Sequence, residues 1–504
     1  MTKFMIYQRR LFMLLMVCLP FNHLPISIPL LGQQPSVGFL FLGYILLIAE
    51  YFVSDMKLDK YERRIGIFLI VSFLWALLSR IVGVIDYQYY EYINFGQIDN
   101  LENLYINLSG LIDLDELTTI KSWLMVMSIK SAGLLIIYTY AISFWVYHIY
   151  RRNWKIAFDD LRKILLILCI ILILYSTFEL NYLLGGSLGE SVLKTINPLY
   201  MKVADIHGWW PPLLWNGQLR SLFAEPSFFG IFEAMTIPIM ISFFWAKRMN
   251  LKIFLGIAVY ICLVIMLVLS KARTANILFI IELICLFSMF IFFHYQSWKK
   301  ICLISVITMI SFLIGVGLTS NFVHDDNIHH ERVSVETYMS QNVASVIGNK
   351  RSNSVRMANV LAMTKVGLQH PLFGVGIGFK DAYLDRNLSF EDLQAQEVFN
   401  WSQTMHDKGP IKANFPVLNQ LALVFAEQGI IGLLLFLTPI VYILFKLYLR
   451  CKDKAWYTPK KICIVVAFIG LCGAFFSNAA FIQFYIVTGI TFVAIHEDWR
   501  KYDD

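Results

Sequence analysis

The sequence predicts an all-α, polytopic integral membrane protein, and three observations carry that expectation. Of 504 residues, 58% are hydrophobic and 15% charged, with a mean hydropathy of +0.62; ordinary soluble chains run nearer about 45–50% apolar and about 25% charged. An aromatic content of 15% excludes a solvated, disordered chain. Apolar runs of about 20 residues, enough to cross roughly 30 Å of hydrocarbon, recur along the chain.

Taken in order, these runs fall at 11–31, 36–54, 65–85, 123–147, 164–183, 222–246, 253–270, 274–296, 301–318 and 429–445. Arg9-Arg10 before the first run imitates a signal peptide, but no small-residue cleavage site follows, so an uncleaved span is expected. The last stretch, 462–495, is 34 residues long and would extend about 51 Å as one helix. Its polar break at Ser477-Asn478 makes it a hairpin of two helices. The expected total is twelve spans.

Basic residues accumulate in short cytoplasmic loops. With the N-terminus inside, segments 1–10, 55–64, 148–163, 247–252, 297–300, 446–462 and 496–504 hold 25 of the 42 Lys and Arg residues in 72 positions. Both termini are therefore expected in the cytoplasm, and the net charge of +7 reflects topology rather than nucleic-acid binding. The eight cysteines all fall in spans or inside segments without metal-ligand spacing, which argues against disulfides and zinc. The chain shows neither an internal repeat nor a low-complexity tract.

Three outside segments are long. Residues 86–122 are acidic and tyrosine-rich and could form an amphipathic cap; 184–221 carries Trp209, Trp210, Pro211, Pro212 and Trp215, an interface-type cluster. The third, 319–416, has helical periodicity near 354–368 and glycines at 374–378 and reads as a folded subdomain, since loops of this length are usually functional or disordered. The expected organisation is 1–318 (nine spans), 319–416 (outside subdomain) and 417–504 (three spans and tail).

Four constellations carry candidate chemistry. In NGQLRSLFAEPSFFGIFEAM, Pro226 suits a first helical turn with Glu225 and Ser227 at its N-terminus, and Arg220 lies just before it. An arginine beside a helix N-terminus suits phosphate oxygens; equally, Glu225 could cap the helix while Arg220 reaches lipid headgroups. Lys271 and Arg273 occupy a very short turn on the side where the charge rule opposes basic residues, so they read as anion-binding or as headgroup anchors. In RMANVLAMTKVGLQHPLFGVGIGFK, Arg356 shares a helical face with Val360, Met363 and Gly367, and the helix stops before His370-Pro371. Gly374, Gly376 and Gly378 then make a tight loop with exposed amides, without the strand that a dinucleotide fingerprint needs. His370 could be catalytic or bonded to a helix-end carbonyl. In NFPVLNQLALVFAEQGIIGLL, Asn419 and Glu427 stand near the boundary of a span, as substrate ligands or as caps. Charges within spans are Arg80, Lys130, Glu179, Glu233 and Glu282, and such groups usually face protein or a wet cavity.

With RSLFAEPS, SKARTA, HPLFGVGIG and AEQGIIGLL in this order over 220–437, the chain resembles the O-antigen ligase and polymerase superfamily of bacterial polysaccharide enzymes. The first 200 residues share only their hydrophobicity with it. The resemblance implies a GT-C-like membrane glycosyltransferase on the outer face of the bacterial plasma membrane. It implies inverting, metal-independent transfer without a cofactor. The donor and acceptor would be undecaprenyl-diphosphate-linked oligosaccharides, and membrane lipids, a flippase and a chain-length regulator would be partners. A diphosphate leaving group needs concentrated positive charge, for which arginines suit better than lysines. Arg220, Arg273 and Arg356 are the expected clamp, Glu225 and His370 the candidate bases, and Lys271, Gly374, Gly376, Gly378, Asn419 and Glu427 the expected substrate contacts. Many members carry a His-Asn pair before AE-x-G, where this chain reads Leu418-Asn419; His406, Asp407 and Glu397 are the available substitutes for that histidine. The expected activity is that of a polysaccharide polymerase joining repeat units for an O-antigen, capsule or exopolysaccharide, and the alternatives are a ligase acting on another acceptor and a non-catalytic lipid-linked-sugar transporter. The transporter reading would call for repeat symmetry and mid-membrane sites.

Overall fold

The computed structural model describes residues 3–27, 32–54, 57–98, 101–109, 115–201, 217–246, 248–323, 334–346, 351–413 and 415–497. The tryptophan–proline cluster 209–215 lies outside the described residues. The α-helices are α1 (Lys3–Val17), α2 (Pro35–Val53), α3 (Lys60–Ile85), α4 (Leu101–Ser109), α5 (Glu116–Ile137), α6 (Tyr140–Tyr150), α7 (Trp154–Leu183), α8 (Ser187–Tyr200), α9 (Pro226–Ile241), α10 (Leu251–Ser270), α11 (Arg273–Phe293) and α12 (Trp298–Thr319). They continue with α13 (Val335–Asn342), α14 (Arg351–Gln369), α15 (Lys380–Arg386), α16 (Gln396–Lys408), α17 (Gln420–Arg450), α18 (Pro459–Gly473) and α19 (Ile482–His496). The described residues form no strand.

Ten of the described helices are long and apolar enough to cross a membrane, and the protein is a multi-pass membrane protein. The places expected of the first and last spans hold α1 and α19, each of 15 residues. At about 22 Å, such a helix is shorter than the hydrocarbon layer. The first helix differs most from its expected range of 11–31. It begins at Lys3 and ends at Val17, because Pro20 excludes the α conformation just ahead of it and removes a donor. The expected span 123–147 is α5 followed by the separate α6, broken at Tyr138-Thr139. The terminal hairpin forms as expected, with its turn at Ser477.

Burial sorts the spans. The apolar window of α9 is 89% buried, against 17% for α3. A helix apolar on every side belongs to a core, and one with an exposed apolar stripe belongs against lipid. Ile67, Ile70, Leu74 and Leu78 make such a stripe on α3. Around α9 pack α7, α10, α11, α18 and α19, so one large apolar core runs the length of the bundle. A second core lies at one end. It joins Tyr87, Ile93, Ile98 and Leu101 to Met363, Val366, Phe379, Tyr383 and Phe415, so segments 86–122 and 319–416 pack on each other and on Ala422 and Ala426 of α17.

The largest departure from expectation is α17. The span expected at 429–445 begins nine residues earlier, at Gln420, and is broken in its interior at Gly429 (φ 66°, ψ −168°). That conformation is close to glycine-only.

Candidate functional site: two arginines at converging helix N-termini

The local sequence first builds the helix ends. Pro226 occupies the first turn of α9, where its missing N–H costs nothing, and Glu225 is the N-cap residue with extended backbone. Its carboxylate accepts from Ser227 Oγ at 3.1 Å and makes no capping bond to the helix backbone. Between α10 and α11 the chain turns in two residues, with Lys271 in the left-handed region (φ 49°), so that Arg273 becomes the first residue of α11. The cap position before it, Ala272, has no side chain able to satisfy the amides behind it.

Helix α14 brings the partners. Asn353 and Arg356 are three residues apart and share a face. Asn353 Oδ1 accepts from Arg273 Nη1 at 3.1 Å, and Arg356 Nη1 donates to the Ser477 carbonyl in the hairpin turn at 2.7 Å. Burial, and next the like charge of Arg273, push the Arg356 guanidinium below its usual range, while Glu225 and Glu397 oppose them. Arg273, Arg356 and Glu225 therefore meet electrostatically, at a point where the N-termini of α9 and α11 converge. Two like charges held together, with two positive helix ends behind them, are suited to an anion.

Residues 257–437 match the family model described as O-antigen ligase. Over that segment the chain is similar to the O-antigen ligases. No curated protein matches it. The match supports a glycan transferase of the O-antigen ligase and polymerase type, and the matched segment holds Arg273 and Arg356. Glu225 lies before the matched segment and reaches it only through the fold.

The remaining candidates take other places. Arg220 is 1% exposed, not at the surface expected of it. Its Nη1 donates to the Phe223 carbonyl at 2.8 Å, and its Nε stands 3.9 Å from the buried Glu179. Glu179 also accepts from the Ser221 amide at 2.7 Å, so it holds the turn in which Ser221 adopts φ 55°. Lys271 lies over the Phe322 ring, 5.2 Å from its centre. His370 follows the far end of α14, fourteen positions beyond Arg356, about 21 Å along the axis. It lines a separate cavity of about 200 Å³ with Asp86 and Tyr383. Asn419 caps α17, accepting from the Ala422 amide at 2.9 Å.

The glycine loop and the AEQG segment bind each other. Val375 N donates to Ala426 O at 2.9 Å, Gly376 N to Glu427 O at 3.0 Å and Gly378 N to the Glu427 carboxylate at 2.9 Å. From the far side of the break, Ile430 N donates to Pro371 O at 2.8 Å. The loop thus supplies partners for the carbonyls and the amide that the break at Gly429 releases, and the amides expected to face a ligand are used within the protein. From α3, Ser79 Oγ donates to Phe373 O at 2.8 Å, Trp75 Nε1 to Gln428 O at 3.1 Å, and Arg80 to Ile377 O. The span charge Arg80 is therefore a tie between α3 and this loop.

Sequence reasoning missed Asn353, the Ser477 carbonyl as an acceptor, and Trp75 and Ser79 of α3. RSNSVR contains the first in its i, i+3 spacing to Arg356, and the polar break at Ser477 marks the second. Of the substitutes for the family histidine, only Glu397 appears among the charges acting on Arg356, whereas His406 pairs with Asp385 at 3.2 Å.

Proposed function

We propose that this protein is a polysaccharide polymerase joining undecaprenyl-diphosphate-linked repeat units on the outer face of the bacterial plasma membrane. The observation that carries the reading is the meeting of Arg273, Arg356 and Glu225 at two helix N-termini within and beside the segment similar to the O-antigen ligases. The arginines bind the diphosphate, each with a planar fork of donors suited to two phosphate oxygens. An acceptor-sugar hydroxyl attacks the anomeric carbon from the face opposite the diphosphate. The bond from that carbon to the diphosphate oxygen breaks, and its electron pair stays with the leaving group. As that charge grows, the two guanidiniums and the helix ends stabilise it. Glu225 takes the hydroxyl proton, and inversion follows from the attack geometry.

The test supplies purified full-length protein with a lipid-linked repeat unit. A ladder of products is the polymerase result; a single block moved to a different acceptor would make it a ligase. Arg273→Ala and Arg356→Ala should each slow transfer by about 10²–10³-fold, the range for losing one charge-stabilising donor, with membrane abundance unchanged. Full-rate product from both variants would end the clamp reading.

A further inference from the structure

The opposite end of the same bundle holds a second constellation. Helix α9 runs from Glu225 at the arginine site to Ser242, its C-cap, seventeen positions or about 25 Å away. There a cavity of about 570 Å³ opens between α7, α9, α10, α18 and α19, within the size range of ligand pockets. Five cations line it: Lys155, Arg162, Lys252, Lys460 and Lys461, against one carboxylate, Glu497.

The excess of basic residues at this end is what the topology rule requires, and taken singly they only orient helices. Their convergence is a feature of the tertiary structure. Lys460 pairs with Asp159 at 2.8 Å and Lys461 with Glu497 at 3.6 Å, while Lys155 and Lys252 are exposed at the rim. Three helix N-termini, those of α7, α10 and α18, also open on this cavity. The cap residue of α18, Thr458, makes no side-chain capping bond, and its hydroxyl is buried without a partner among the described residues. Ser242 is 4% exposed and lines the cavity, and its Oγ likewise has no partner among the described residues. A buried hydroxyl left unpaired costs free energy that a ligand acceptor would recover. Trp154 and Trp245 on the wall supply the amphipathic rings characteristic of a membrane–water interface.

We infer that this cavity binds a phosphate-bearing ligand, with Ser242 and Thr458 donating to its oxygens and Lys155 and Lys252 closing over it. The same chemistry is offered by the headgroup of an anionic phospholipid and by a soluble phosphate, and basic pockets between membrane helices commonly take the former. The site is separate from the arginine pair and independent of the reaction there.

The experiment uses the full-length protein in detergent, with native mass spectrometry and thermal unfolding read in parallel. The probes are phosphatidylglycerol, phosphatidylcholine and inorganic phosphate. Phosphatidylglycerol should bind and raise the melting temperature while phosphatidylcholine does not. Displacement of the lipid by millimolar inorganic phosphate, with the phosphate alone raising the melting temperature, would make the ligand soluble and leave the site as described. The doubly substituted Lys155→Gln, Lys252→Gln protein should bind phosphatidylglycerol at least about tenfold more weakly, since each lost charged hydrogen bond is worth about a factor of ten or more. Its ligand-free melting temperature should match that of the parent, because both side chains are exposed. Ser242→Ala should weaken binding independently of surface charge. Equal binding of the two lipids, or undiminished affinity in both variants, would overturn the proposal.

Discussion

Replacing each glycine of the 374–378 loop, and Gly429, by alanine separates a structural joint from a ligand cradle. All four glycines have positive φ: 67° at Gly374, 89° at Gly376, 77° at Gly378 and 66° at Gly429. A left-handed conformation costs a residue with a Cβ about 1–2 kcal/mol, and at Gly378 the only further demand is a small shift of the Arg80 Nη1 that ties this loop to α3, 3.2 Å from the new Cβ. At Gly376 it would stand 2.9 Å from the Gly83 backbone. At Gly374 it would overlap the backbone of Glu427, and at Gly429 that of Leu372. Overpacking against groups that cannot rotate away adds about 1–3 kcal/mol, so Gly374→Ala and Gly429→Ala should lose about 2–5 kcal/mol. The assay is thermal unfolding of the purified protein, with folded yield from size-exclusion chromatography. The expected order of stability is Gly378→Ala, then Gly376→Ala, then the other two together. If Gly374→Ala and Gly429→Ala unfold with the parent and lose only substrate binding, the loop is a ligand cradle and the joint reasoning is wrong.

Other consequences follow from single contacts. Arg220→Ala should lower the folded yield, because it strips the buried Glu179 of its cation, a loss of about 3–5 kcal/mol for a broken buried pair. Glu179→Gln in the same chain should restore part of it; normal stability with lost transfer would instead make Arg220 a substrate contact. Burial pushes the His370 pKa down, with Asp86 opposing, so the unfolded chain holds more protons than the folded one just below the ordinary histidine value. Stability should therefore fall as pH drops through about 6.5, and His370→Gln should flatten that loss; identical melting-temperature profiles would refute it. Glu282 is 2% exposed, and its carboxylate oxygens have no hydrogen-bond partner among the described residues. Glu282→Gln should keep or raise the melting temperature, and a marked fall would mean that its charge is used.

Much was legible without coordinates. Hydropathy is a sum over neighbours in the chain, so the spans, the hairpin at Ser477 and the helix at 354–368 could be read directly. Charge at a helix N-terminus, in a short turn or on a helical face is also a local matter, which is why Glu225, Arg273 and Arg356 each stood out singly. Two readings concern groups whose environment is made by distant residues. Arg220 looked like a surface cation because its neighbours in the chain place it at a span boundary; Glu179, 41 positions earlier, takes it inside. The amides of Gly376 and Gly378 looked free because their acceptor, Glu427, lies about 50 residues on, and the need for them arises only where α17 breaks.

By itself, then, the sequence determined that this chain is helical, crosses a membrane many times and carries a few cations in or beside its apolar runs. Those properties follow from the free energy of moving each short segment between water and hydrocarbon. Only the tertiary structure decided which cations meet. Arg273 and Arg356 come together because two helix ends and one face of α14 converge, Arg220 is buried beside Glu179, and the basic residues of the opposite end line a cavity of their own. Pairing of charges depends on distances between helices, and packing alone sets those.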